Sequence, residues 1–122
     1  MALEGKMLDD SGCTAGTDLT AHQFAAVKIT GPRQIGLAST GGEGITGILY
    51  NAPAAGSPAM VVFFGYPKVI AGTGGFTAGD QLVTEAGTAK LVTYASSGTV
   101  VAIAVDTVAA GVFGRVKLLV TA

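Results

Sequence analysis

The sequence is short of charge and of the residue types that usually carry chemistry. Only 12% of its 122 residues are charged, whereas 49% are hydrophobic; ordinary soluble domains have about 25% charged residues. It contains one histidine, one cysteine and no tryptophan. A single cysteine, Cys13, excludes an internal disulfide and fits synthesis in a reducing cytoplasm.

The shortage of charge predicts that part of the surface is covered in an assembly. A monomer of this size exposes roughly 6000 Å², and seven basic and eight acidic side chains are few for that area. Permanent interfaces bury about 2000 Å² or more, which would remove the poorly protected surface from water. We therefore expect a subunit of an oligomer or of a larger assembly.

Two classes of partner are disfavoured by what is missing. The net charge is −1, and no two basic residues are adjacent, so the electrostatic pattern of a nucleic-acid binder is absent. The apolar runs at 59–64 and 100–105 are far below the ~20 residues that cross a bilayer. The first ten residues also lack the apolar stretch of a secretory signal. We expect neither nucleic acid nor membrane as a partner.

What the sequence does have is a pattern of short apolar runs, rich in β-branched residues and separated by glycine, proline, asparagine and aspartate. This pattern predicts an all-β domain, a small compact barrel or sandwich of short antiparallel strands, over residues 22–122. The predicted strands are 24–30, 33–38, 47–50, 59–64, 68–71, 81–85, 89–94, 99–105 and 112–121. Residues 1–21 hold four of the eight acids and little periodicity. They predict an extended N-terminal arm, with an ordinary frayed terminus as the alternative.

Alternation along the last two runs predicts which faces are buried. In 112–121, Val116 and Leu118 share one face, while Arg115 and Lys117 share the other and are expected to point outward. In 99–105 both faces are apolar, which predicts a strand covered on both sides. The second cover is expected to be another subunit.

Two groups of residues have the residue types of a cofactor or metal site. Gly42, Gly44 and Gly47 have the spacing of a dinucleotide-binding loop, but the strand-like run that follows leaves no room for the required helix. Cys13 and His22 are too few for a zinc site, which needs about four ligands. No cofactor and no metal site is predicted.

Three carboxylates, Asp80, Glu85 and Asp106, are the only candidates for acid–base catalysis. Each lies beside a turn signal, where acidic side chains usually accept hydrogen bonds from local backbone N–H groups. Lys90 follows a turn but lies within a predicted strand, unlike the lysine of a swinging-arm carrier. The prediction is a protein without catalytic residues, in which Gly79 has positive φ and Gly87 closes a hairpin.

Three segments resemble the capsid decoration, or cement, proteins of tailed bacteriophages. They are TAGDQLVT at 77–84 with the hairpin to Lys90, VAIAVDTVAAGVFGRVKLL at 101–119, and FAAVKITG at 24–31. The resemblance implies small β-barrel subunits that form an oligomer, often a homotrimer. It also implies attachment to the major capsid protein on the outer surface of the virion head, where terminal arms fasten the subunit and no catalytic residues are needed.

Two other functions stay open at this point. One is a non-enzymatic β-scaffold that binds a peptide or a carbohydrate, although the aromatic content of 7% without tryptophan is low for sugar stacking. The other is a small hydrolase that uses Asp80, Glu85 and Asp106. The hypothesis favoured by the sequence is a structural phage-head protein that stabilises the assembled shell.

Overall fold

The computed structural model describes residues 6–9 and 13–119, and within them the chain forms β-strands and no helix. The strands are β1 (Lys6–Asp9), β2 (Thr14–Ala15), β3 (Ala26–Gly31), β4 (Gln34–Leu37), β5 (Gly47–Leu49), β6 (Val61–Gly65), β7 (Lys68–Ile70), β8 (Gln81–Thr84), β9 (Leu91–Thr93), β10 (Ala102–Ala104) and β11 (Phe113–Leu118). Each of the nine predicted runs overlaps one of the strands β3–β11, which confirms the all-β fold class. A membrane-spanning helix is likewise not found in this part of the chain.

The first sheet has the order β1-β6-β5-β3-β4-β2. It curls so that β2 also meets the segment that leads into β6. On one edge β2 pairs with β4 in parallel. On the other edge Ala15 donates its N–H to the carbonyl of Ser57 at 3.0 Å and accepts the N–H of Gly56 at 2.8 Å. Since residues 56 and 57 lead directly into β6, the strands β2–β6 form a closed circle, which we call the first ring.

The second sheet has the order β7-β11-β10-β8-β9 and closes in the same way. The residues directly after β7 reach β9 through a parallel bridge between Ala71 and Leu91. Gly72 donates its N–H to the carbonyl of Leu91 at 2.7 Å. Strands β7–β11 therefore form the second ring. Closure matters because short strands with open edges would offer unpaired backbone groups to other chains.

The two rings have the same topology. We number the strands of each ring in chain order, so that β2 is the first strand of the first ring and β7 the first strand of the second. In each ring the fifth strand lies between the fourth and the first, the fourth lies beside the second, and the second pairs with the third. The third strand then pairs in parallel with the first in both cases. The chain is thus built from two tandem copies of one five-stranded unit, a duplication that the strand predictions did not reveal.

The duplication extends to individual hydrogen bonds. In the first ring the side-chain oxygen Oδ1 of Asn51 accepts the N–H of Met60 at 2.9 Å. In the second ring Oδ2 of Asp106 accepts the N–H of Arg115, also at 2.9 Å. Both pairs follow the fourth strand and are separated by the same number of residues. Asn51 in the first ring is therefore equivalent to Asp106 in the second, and Met60 is equivalent to Arg115.

Backbone conformation matches as well. The left-handed region is occupied at three pairs of equivalent positions: Phe24 (φ 69°) with Gly79 (92°), Arg33 (56°) with Ala89 (58°), and Gly56 (82°) with Gly111 (79°). Because a β-strand requires negative φ, the positive φ of Arg33 and Ala89 prevents a strand from including these residues. For this reason β4 and β9 begin one and two residues later than the sequence predicted.

The interior of the first ring is a hydrophobic cluster to which the N-terminal segment contributes. Its buried members are Ala15, Leu19, Val27, Ile35, Leu49, Ala59 and Val61. Leu19 donates its N–H to the carbonyl of Pro53 at 2.9 Å, as its equivalent Phe76 does to Val108 at 3.0 Å. Much of the predicted arm, from residue 13 onward, is thus part of the first ring, and the proposed division at residue 21 does not coincide with the limit of this core.

The interior of the second ring is continuous with the contact between the rings. One cluster contains Ala71, Phe76, Leu82, Leu91, Ala104 and Val116 from inside the second ring, together with Ala26, Ile48 and Val62 from the outside of the first. Ala26, Ile48 and Val62 lie side by side across β3, β5 and β6. The outer face of the first ring therefore packs on an open end of the second, where Leu118 and Thr84 are buried.

The predicted faces of the last strands are confirmed in one case and revised in the other. Along β11 exposed and buried residues alternate, with Arg115 and Lys117 outside and Val116 and Leu118 inside. Around β10, however, Val105 is exposed and Ile103 is half-buried. The second cover predicted for residues 99–105 is therefore not supplied by the described part of the chain.

A β-branched side chain at Gly79 should destabilise the fold by about 1–2 kcal/mol, because this turn residue has φ of +92°. Space is not the obstacle, since a Cβ built there meets no atom within 4 Å. The matched control is Gly44, which has equal space and no positive φ. Chemical denaturation of Gly79→Val and Gly44→Val measures the difference, and equal stabilities would contradict the assignment of backbone strain.

Leu19→Ala should cost about 2–5 kcal/mol of unfolding free energy, because it opens a cavity in the first ring. Thr17→Ala, at an exposed position two residues earlier, is the control and should stay close to wild type. Thermal or urea unfolding followed by circular dichroism compares them. If Leu19→Ala were as stable as the control, residues 13–21 would be a dispensable arm after all.

Candidate docking surfaces

The three carboxylates considered for catalysis each bind backbone N–H groups or hydroxyls close to their own turn. Oδ2 of Asp80 accepts the N–H of Thr77 at 2.9 Å and the hydroxyl of Thr93 at 3.0 Å. The N–H of Asp80 returns to the carbonyl of Thr77 at 2.9 Å, which closes the turn that holds Gly79. Asp80 thus fastens a turn to β9.

Glu85 joins the end of β8 to the loop after β7. Its Oε2 accepts the N–H of Thr73 at 3.0 Å, and its Oε1 accepts the hydroxyl of Thr88. The hydrogen bonds from Thr73 and Thr88, with a smaller contribution from the charge of Lys90, hold the pKa of Glu85 below its ordinary value. A carboxylate held ionised by donors is suited to fixing a hairpin, and it is a poor general acid at neutral pH.

Asp106 follows β10 and fixes the backbone of β11 through the bond to the Arg115 N–H described above. The three carboxylates therefore serve three separate junctions, and each accepts hydrogen bonds that stabilise a turn or a strand end. Within residues 6–9 and 13–119 there is no group of three histidine, cysteine, aspartate or glutamate side chains able to hold a metal ion. The sequence interpretation of these residues as turn fasteners agrees with these contacts.

The glycines of the dinucleotide-like motif have packing roles. Gly42, with φ of +76°, lies against Gly98 of the second ring, and a Cβ on Gly42 would approach the Gly98 Cα to 2.8 Å. Gly47 lies in β5, where a Cβ would overlap the backbone of Val62. Gly44 lies in the loop between them, and no helix follows. The motif is therefore a loop and a strand, as the sequence context predicted.

Cys13 and His22 belong to the first ring and not to a shared site. The carbonyl of Cys13 accepts the N–H of Ala59 at 3.0 Å, and its side chain packs against the core of the first ring. His22 lies in the turn after Leu19, where its N–H binds the Leu19 carbonyl at 3.0 Å. Cys13 thus helps to close the ring, and His22 stabilises a local turn.

A shallow groove crosses the first ring beside β4. It is lined by the backbone and neutral side chains of Gly16, Thr17, Thr30, Gln34, Ile35, Gly36, Leu37 and Ser39. Hydroxyls and an amide can form hydrogen bonds with a ligand, but there is no aromatic ring in this lining on which a sugar would stack. The groove therefore gives little support to the carbohydrate-binding alternative.

Half-buried and exposed aromatic residues form a different kind of surface. Phe24 packs edge-on against Tyr50 and Phe113, with ring centroids 5.8 and 5.2 Å apart. The ammonium group of Lys68 lies 5.4 Å from the Phe24 centroid and 5.7 Å from that of Phe113. This cluster joins the two rings, because Phe24 and Tyr50 belong to the first and Lys68 and Phe113 to the second. Cation–π attraction keeps the lysine over the aromatic rings.

The outer face of the second ring continues this surface. Gln81, Ile103 and Lys117 lie side by side across β8, β10 and β11. Arg115 lies beside Lys68 on the same face and donates from Nη1 to the carbonyl of Tyr66 at 3.1 Å. Lys28 forms an ion pair with Glu43 at 2.8 Å. By contrast, Lys68, Arg115 and Lys117 have no carboxylate partner among the described residues. The face is therefore both apolar and cationic.

A second exposed apolar surface lies at an end of the first ring. Ile29 of β3 and Phe63 of β6 are both exposed there. The neighbouring residues Phe64 and Tyr66 are exposed as well, so the aromatic side chains after residue 62 lie largely outside the core. Phenylalanine, tyrosine and arginine are enriched at protein interfaces, which makes these two surfaces the candidates for docking.

Comparison with known proteins identifies a shared fold. One solved structure that matches is the head fiber gp8.5 N base of bacteriophage phi29, with a TM-score of 0.74 over 92% of this chain and 94% of that chain, at 18% identity. No protein-family model and no curated protein matches the sequence. The neighbour is a phage head protein, the same broad class as the proteins that the sequence resembles.

The stability of the fold should fall in acid partly through Glu85. Its pKa is lower in the folded chain than in an unfolded one, so the contribution is present at neutral pH and is lost as the pH falls through the folded pKa. Glu85→Gln should be less stable than wild type at pH 7 and lose less stability on acidification. Urea unfolding at pH 7 and about pH 3 measures this, and an unchanged pH dependence in the variant would contradict it.

Proposed function

We propose that this chain is a structural protein of a tailed-phage head, which binds the outside of the assembled capsid as an oligomer and stabilises the shell. The observation that carries the proposal is the fold, which 92% of the chain shares with the base of a phage head fiber. The contacts of Asp80, Glu85 and Asp106 support a non-enzymatic role, since these carboxylates fasten turns. The proposed partner is the major capsid protein, and the proposed oligomer is a homotrimer.

The surface chemistry supports binding to protein. Large exposed side chains include the aromatic Phe64 and Tyr66 and the basic Lys117. The β-framework holds the backbone of the aromatic residues in place, and their few rotamers mean that little side-chain entropy is lost on binding. Such a surface fits a folded protein partner better than a small polar ligand.

Stabilisation of a shell follows from mass action. A protein that binds only the assembled shell lowers the free energy of that state and leaves the dissociated subunits unaffected. An oligomer that contacts several coat subunits at once adds weak contacts into a tight attachment. Modest affinity at each contact is therefore sufficient for this function.

The predicted arm needs a narrower role than the sequence suggested. Residues 13–21 are engaged in the first ring through Ala15 and Leu19. We therefore assign the head contact of the arm to residues before 13. A chain without residues 2–9 loses β1 and its pairing with β6 but keeps the strands β2–β11 that form the two rings, whereas a chain without residues 1–20 also loses β2 and two core side chains.

The chain should co-sediment with DNA-filled heads of the phage that encodes it, with saturable occupancy and an increase in the temperature at which the heads open. The variant without residues 2–9 should fold normally by circular dichroism and bind the heads more weakly. Absence of binding by the wild type would refute the proposed function. Equal occupancy by the variant and the wild type would refute only the role of the arm.

A further inference from the structure

The duplication makes it possible to compare the same surface in two environments. In the first ring the outer face is formed by Ala26, Ile48 and Val62, which are completely buried against the second ring. The equivalent residues of the second ring are Gln81, Ile103 and Lys117, aligned across the equivalent strands. One copy of this face is thus covered within the chain, and the other copy is open to solvent or only half-buried.

The end of the ring on which this face packs differs in the opposite sense: it is buried in the second ring and exposed in the first. Thr84 and Leu118, at the end of the second ring, are 2% and 7% exposed because the first ring packs on them. Thr84 also accepts the N–H of Gly42 from the first ring at 3.0 Å through its carbonyl. Their equivalents at the end of the first ring are Ile29 and Phe63, which are 62% and 38% exposed.

These equivalences rest on the strand pairing. Ile29 lies opposite Ile35 and Thr84 lies opposite Leu91, and Ile35 and Leu91 both accept the N–H of the glycine that closes their ring. Phe63 directly follows Val62, as Leu118 directly follows Lys117. The first ring therefore has an unoccupied end and the second ring an unoccupied outer face, which are the two halves of the contact already made once within the chain.

We propose that the outer face of the second ring of one copy docks on the open end of the first ring of another copy, in the manner of the internal contact. Ile103 lies at the centre of the docking face, with Gln81 and Lys117 beside it. Ile29 and Phe63 form the apolar surface that receives it. The inference rests on the oligomer in the proposed function and specifies which residues build it, but it does not depend on the capsid.

The contact differs in chemistry from the internal one in a way that suits separate subunits. Ala26 and Val62 are replaced in the second ring by Gln81 and Lys117, so polar groups on this face can be hydrated before assembly. A purely aliphatic face would expose an aggregation-prone patch on the free chain. The polar rim around one central isoleucine is typical of interfaces between subunits that fold before they associate.

A contact of this kind is heterologous, because two different surfaces meet. Each copy carries one face and one end, so every copy can bind two neighbours, and the assembly closes into a ring when the rotation between copies permits it. This geometry makes a specific prediction for mixtures. A copy with a blocked end and a copy with a blocked face still share one intact contact.

The test uses Ile29→Lys, which blocks the end, and Ile103→Lys, which blocks the face. Each variant alone should have its self-association weakened about tenfold or more, because an ammonium group would be buried close to Lys117 of the docking face, and none of the residues assigned to the contact is a carboxylate that could pair with it. An equimolar mixture should form a species of two chains and nothing larger. Native mass spectrometry and sedimentation measure the masses, against 12.0 kDa for one chain.

The control is Val112→Lys, which places the same charge at an exposed aliphatic position at the opposite end of β11 from Leu118. It should assemble like the wild type, and circular dichroism should show all three variants folded. If either Ile29→Lys or Ile103→Lys assembles normally, or if the mixture contains monomers only, the contact between face and end is wrong. If the wild type binds heads and these variants assemble normally, the contact is refuted and the proposed function stands. If the variants dissociate as predicted and the wild type does not bind heads, the proposed function is refuted and the contact stands.

Discussion

The structure depends on closing each short-stranded sheet into a ring with hydrogen bonds from an Ala-Gly pair. Gly16 donates to Ile35 at 2.9 Å and Gly72 to Leu91 at 2.7 Å, while Ala15 and Ala71 bind the segment on the other side. Strands of two to six residues are too short to be stable with open edges. Once closed, each ring encloses its own apolar interior, and the turns are free to carry the remaining polar groups.

The few charged residues follow from this architecture. Asp80, Glu85 and Asp106 are engaged with backbone N–H groups at turns, and Asn51 performs in the first ring the task of Asp106 in the second. Acidic and amide side chains thus replace missing strand hydrogen bonds. The basic residues Lys68, Arg115 and Lys117 remain on one outer face, so the chain has one cationic, aromatic surface even though its net charge is close to zero.

Duplication gives the two rings equal topology and unequal surroundings. The face that is aliphatic in the first ring, around Ile48, is buried by the second ring, while the equivalent face around Ile103 has gained polar neighbours. Divergence of this kind is expected when one copy of a surface is always covered and the other must stay soluble before it finds a partner. The fold that carries both surfaces is shared with the head fiber gp8.5 N base of bacteriophage phi29.

The sequence by itself determined the all-β class, the nine later strands, the inward and outward faces of β11 and the positive φ of Gly79, because these follow from local periodicity and from what glycine alone tolerates. It also contained a trace of the duplication in the repeats Ala15-Gly16-Thr17 with Ala71-Gly72-Thr73, and Ala54-Ala55-Gly56 with Ala109-Ala110-Gly111. Only the tertiary structure decided that residues 13–21 close a ring, which carboxylate binds which turn, and which copy of each surface is exposed. Those outcomes depend on contacts between residues distant along the chain, and the same local pattern is compatible with either environment.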